Sequence, residues 1–123
     1  MATDPGFLEH VRDLFARLGP VRSGRMFGGT SLYIDDAMFA VIFGDALFMK
    51  ADAALCEQYV RAGSHPFSYD TKTGLRTIHG LMALPDAALD DPDEALEWAL
   101  LSLVPARTAA QEKRRKAAAR TKS

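Results

Sequence analysis

The sequence predicts a two-layer α+β domain with an antiparallel sheet, in the order α-β(3)-α-β(2)-α. Two observations carry that reading. Apolar residues recur at three- and four-residue spacing near both ends of the chain and once in the middle, the period of an amphipathic helix. Between these segments lie short aromatic and branched runs separated by two-residue polar turns, the pattern of a meander. At 123 residues, 48% hydrophobic and 25% charged, the chain can bury one core and has little room for a second domain.

The first helix opens at Asp4, a capping residue followed by Pro5 at the first helical position, and stops at Gly19-Pro20. Phe7, Leu8, Val11, Leu14, Phe15 and Leu18 form its apolar face. The first strand run extends from Arg22 to Ile34, with Gly28-Gly29 inside it as a bulge or bend. Asp35-Asp36 turns the chain into Met38–Phe43, a continuous apolar run that suits a central strand. Gly44-Asp45 turns it again, and Leu47 to Lys50 returns. Asp52 caps a second helix that ends at Gly63. Pro66 to Tyr69 alternates as a strand, Thr71 to Gly74 turns, and Leu75 to Leu84 is a strand broken at Gly80. Asp91-Pro92-Asp93-Glu94 starts the last helix with a cap, a first-position proline and an acid three residues after the cap. Leu96, Ala99, Leu100 and Leu103 supply its apolar face, widened by Trp98 and Leu101, and Pro105 ends or kinks it. The folded domain is expected over residues 1–105, and residues 106–123 are expected to be a disordered basic tail.

The charge divides at the same place. Residues 1–106 hold 8 basic and 15 acidic side chains, a net of −7, whereas 107–123 hold 7 basic and 1 acidic, a net of +6. The tail cations are Arg107, Lys113, Arg114, Arg115, Lys116, Arg120 and Lys122, set in alanine-rich sequence. Two readings stay open for them: a solvated terminus, or weak contact with DNA or RNA phosphates that could draw the tail into a helix. Nothing in the tail resembles a base-reading motif.

Other constellations argue against catalysis. No apolar run approaches the ~18–20 residues that cross a bilayer, and Asp4, Glu9 and Asp13 interrupt any signal-peptide pattern. A lone cysteine, Cys56, forms no internal disulfide, so the expected compartment is the cytoplasm. His65 and His79 have no further ligand at metal spacing, and no metal or cofactor is expected. Cys56 lies on the apolar side of its helix, where a buried thiol is commoner than a nucleophile. Gly28-Gly29-Thr30-Ser31 lacks the lysine and following helix of a phosphate loop. Asp90, Asp91, Asp93 and Glu94 suit a helix start better than a calcium loop. Arg25, Tyr33, Lys50 and His79 are polar groups on strands, and their convergence in a pocket is the alternative, a small-molecule binder or enzyme. Exposed sheet edges also make a homodimer an expectation.

Several segments in fixed order resemble the N-terminal domain of the TfoX/Sxy competence regulators. They are Met26-Phe27-Gly28-Gly29, Leu32-Tyr33-Ile34-Asp35, Met38-Phe39-Ala40, Leu47-Phe48-Met49-Lys50, Pro66-Phe67-Ser68-Tyr69, Leu84-Pro85, Leu89-Asp90-Asp91-Pro92 and Trp98-Ala99. The resemblance covers about residues 7–104. It implies a bacterial, non-catalytic regulatory module with the fold read above and a protein partner in the transcription machinery. It supplies no catalytic residues. Thr30-Ser31 stands where members often carry Tyr-Gly, and Leu81-Met82 where they often carry Tyr-Tyr. On that resemblance the basic tail is expected to stand where the full-length regulators carry a second domain.

Overall fold

A computed structural model describes residues 4–26 and 28–121; Phe27 and Lys122, both singled out above, lie outside them. Helix α1 spans Pro5–Leu14, and its cap is the one the sequence predicts: the Asp4 carboxylate accepts the Gly6 N–H at 3.1 Å. The apolar period to Leu18 does not make one helix. The chain leaves α-geometry at Phe15 and takes a single 3₁₀ turn over Ala16–Leu18. Phe15 is fully buried, its ring edge-on to Phe39 at 5.4 Å, so packing sets the break.

Six strands follow rather than five: β1 (Val21–Met26), β2 (Gly29–Ile34), β3 (Ala37–Phe43), β4 (Ala46–Lys50), β5 (Pro66–Thr71) and β6 (Gly74–Ala83). They form one antiparallel sheet in the order β1-β2-β3-β4-β6-β5. The expected single run through the glycine pair is a hairpin, with Met26 opposite Gly29. Two demands explain the pair. Gly28 has φ +81°, the left-handed region, and a Cβ on Gly29 would strike the Ile42 carbonyl and come within 2.7 Å of the Phe43 ring. The break expected at Gly80 is an irregularity in the pairing with β5. β6 pairs with β5 from Gly74 to Ile78 and again at Met82 after a register shift, pairs with β4 over Leu81–Ala83, and accepts the Ala51 N–H at the Gly80 carbonyl.

Helices α2 (Ala53–Arg61), α3 (Asp86–Leu89) and α4 (Pro92–Thr121) complete the fold. All helices pack on one face of the sheet. Val11, Leu14, Leu55, Tyr59, Ala88, Ala95, Ala99 and Leu103 meet Leu32, Phe39, Ile42, Leu47 and Met49 in one core. The alanines let α4 lie close against the strands. Tyr59 of α2 stacks on Trp98 of α4 at 4.3 Å, and its hydroxyl shares a buried 2.7 Å hydrogen bond with Ser102.

Among the described residues the other face carries no helix, yet Val41, Phe43, Phe48 and Leu81 are buried there. Their cover is Phe67 of β5, which stacks on Phe43 at 4.4 Å and meets Phe48 edge-on at 4.9 Å. Three strand spacings of about 4.8 Å separate β3 from β5 in a flat sheet. The rings touch because the sheet curls and brings the β5–β6 hairpin over its own second face. Burial on both faces accounts for the continuous apolar run of β3.

Helix α4 departs most from expectation. It begins as the sequence predicts, with the Asp91 carboxylate accepting the N–H groups of Asp93 and Glu94 at 3.1 and 3.3 Å. It then runs through Pro105 and through the segment expected to be disordered, to Thr121. Proline in a helix interior costs about 3 kcal/mol. Packing beyond it offsets that cost: Ala106 and Ala110 are buried in the core, and the alanine, lysine and arginine that follow are strong helix formers. Leu100 and Leu101, expected on the inner face, point outward with Val104.

Candidate functional site

The described cations after Leu103 are therefore held on a helix. From Gln111 to Arg120 every residue is exposed, and Arg107 is exposed one turn before. Residues three, four and seven apart share a side of a helix. Arg107, Gln111 and Arg114 form one side, which faces the β2–β3 turn. With Ile34, Asp35, Asp36 and Ala37 they line a shallow cleft of about 310 Å³. Arg114 donates to the Asp36 carboxylate, and that contact holds the Asp36 carboxyl below the usual carboxylate range. Two guanidinium groups face two carboxylates here, so the cleft is balanced in charge and is not an anion pocket. Arg115 pairs with Glu112 at 3.1 Å. Lys113, Lys116 and Arg120 share a different side, remote from that cleft in helical position. The six described cations thus ring the helix instead of forming one stripe, and Arg114 and Arg115 are held in ion pairs within the chain.

The polar groups of the alternative reading do not converge. Arg25 is exposed on the edge strand β1, opposite Thr30. Tyr33 is half-buried on β2, with the Arg22 guanidinium 4.7 Å above its ring and its hydroxyl accepting from Ser31. Lys50 ends β4 opposite Leu81, and His79 is exposed on β6 at the irregularity in its pairing with β5. None of the four lines the cleft described above or a second one, of about 270 Å³, between the end of α2 and α3.

That second cleft holds groups that the sequence reading did not combine: Ser64, His65, Asp86 and Glu94. Their separation in sequence hides the grouping. The Ser64 hydroxyl donates to the Ala83 carbonyl at 2.5 Å and His65 Nδ1 meets the Pro66 carbonyl at 3.2 Å, so neither side chain activates the other. Cys56 is likewise unsuited to nucleophilic work. Its Sγ–H donates to the backbone carbonyl of His79 at 2.8 Å, not to the imidazole, and desolvation raises its pKa, with Asp52 adding to the effect. Among the described residues no group of three or more His, Cys, Asp or Glu side chains is placed to hold a metal ion.

A family model, the TfoX N-terminal domain, matches residues 13–106, which take in the whole sheet and the capped start of α4. The chain belongs to that family. No curated protein matches it. The TfoX N-terminal match ends inside α4, at the buried Ala106, so the ring of cations lies beyond the matched residues on a helix that the matched residues begin. Among the described residues no helix is long and apolar enough to cross a membrane.

Proposed function

We propose that this chain is a non-catalytic regulatory module of the competence-regulator kind. Its body engages a protein partner of the transcription machinery in the cytoplasm, and the basic end of α4 adds weak contact with nucleic-acid phosphates. The exposed cations on all sides of one helix carry this reading. Membership of the TfoX N-terminal domain family favours a regulator, and the scatter of Arg25, Tyr33, Lys50 and His79 favours it over a small-molecule enzyme.

Phosphate contact of this kind is set by charge, independent of sequence, and weakened by salt. The test is fluorescence anisotropy of a labelled DNA duplex with the full chain and with Lys113→Ala/Lys116→Ala/Arg120→Ala, which keeps strong helix formers at each position. Between about 50 and 200 mM salt, each phosphate contact contributes a slope of about −0.9 to the log–log plot of affinity against salt. The triple variant is expected to bind more weakly and to lose roughly 2.7 of that slope, three contacts' worth. Equal binding by both proteins, or none by the wild type at about 50 mM salt, overturns the nucleic-acid role.

A further inference from the structure

The outer face of α4 carries an apolar patch that the fold leaves uncovered. Leu100, Leu101 and Val104 are 53%, 41% and 64% exposed, in the middle of the helix rather than at a frayed end. The patch has a charged residue on each side along the helix: Glu97 precedes it and Arg107 follows it, both exposed. Among the described residues neither Glu97 nor Arg107 has an ion-pair partner. The helix dipole accounts for acids in the first turn and bases in the last. It does not account for Glu97 and Arg107, five residues either side of Ser102 with bare leucine and valine between them, and neither in an ion pair among the described residues, although Arg107 also borders the cleft toward Asp35 and Asp36.

The positions Glu97, Leu100, Val104, Arg107 and Gln111 are spaced three, four, three and four apart. That is the seam of a helix that packs along another helix. The seam is also its own complement. Run antiparallel against a second copy about a two-fold axis that crosses the outer face of α4 level with Ser102, Leu100 meets the partner's Val104, and Glu97 meets the partner's Arg107. The symmetry repeats each contact, so both unpaired charges and both apolar residues are satisfied twice. A parallel pairing would set Glu97 on its own counterpart and is disfavoured by like charge.

We infer that α4 is a self-association surface through which two copies of this chain pair antiparallel, Glu97 to Arg107 across the axis. The inference is independent of nucleic-acid contact. Residues 97–111 span only about 21 Å of helix at 1.5 Å per residue. One helix face of that length is smaller than the ~800 Å² per partner of a standard stable interface. The dimer is therefore expected to be weak, present or absent according to protein concentration.

Sedimentation equilibrium over a range of protein concentrations tests it, with charge reversal as the probe. The wild type is expected to pass from the 13.4 kDa monomer to twice that mass as concentration rises. Glu97→Arg alone and Arg107→Glu alone each set like charges across the axis, and each is expected to stay monomeric. An equimolar mixture of the two variants restores both opposite-charge contacts, and is expected to regain the dimer at the wild-type concentration. Both residues are exposed, so folding is checked simply by matching thermal melts. A wild type that stays at 13.4 kDa throughout overturns the inference. So does a dimer indifferent to both reversals, or a mixture that fails to pair.

Discussion

Tyr59 and Ser102 illustrate how one buried polar contact ties two helices. Tyr59 is fully buried, and burial pushes its phenol above the ordinary 10.0, an effect that the Ser102 hydrogen bond partly opposes. The two partners are not equivalent when one is lost. Ser102 lies within α4 and can turn its hydroxyl to the carbonyl one turn back. Tyr59 has no such recourse. Ser102→Ala is therefore expected to cost about 1–3 kcal/mol in urea denaturation, more than Tyr59→Phe. The raised phenol also fixes a pH trend. A group held neutral in the fold contributes fully below its unfolded value and loses that contribution as pH rises toward its folded value. Wild-type stability should thus fall more steeply above pH 10.0 than that of Tyr59→Phe, a difference that denaturation at two alkaline pH values resolves.

The β5–β6 hairpin serves as a lid on the sheet from which it grows. Phe67 joins it to Phe43 and Phe48 through ring contacts, and Tyr69 stacks behind Phe67 at 5.7 Å. Phe67→Ala should open the second face, with a loss of about 2–3 kcal/mol and increased binding of an apolar dye, while Phe67→Leu retains most of the stability. Element types were legible from the sequence because hydrophobic period is a local signal: α2, β3, β4, the capped start of α1 and the Asp91 cap sit where the sequence placed them. What was not legible depends on distant neighbours. Gly28-Gly29 reads equally as a bulge or a turn until Ile42 and Phe43 close on Gly29. Leu100 and Leu101 fit either side of a wide apolar arc until Ala95, Ala99 and Ala106 take the inner one. Of the candidate site, the cations themselves were legible. The partner of Arg114 was not, since Asp36 lies 78 residues away.

For the molecule as a whole, α4 joins the packed body to the charged end without a boundary at Pro105. The last core residues are Ala106 and Ala110, so a chain ending at residue 105 strips cover from the sheet. It should be destabilised by on the order of 1–2 kcal/mol, whereas one ending at residue 111 should melt near the full chain, as circular dichroism on heating can show. The same continuity decides how the basic end searches for anything. A flexible tether of that length sweeps a volume in every direction and dilutes its charges over all of it. A rod of eleven residues past Ala110 reaches about 16 Å along one bearing. Whatever meets its tip is met at an angle prescribed by the sheet beneath, so a change of packing under α4 becomes a change of aim.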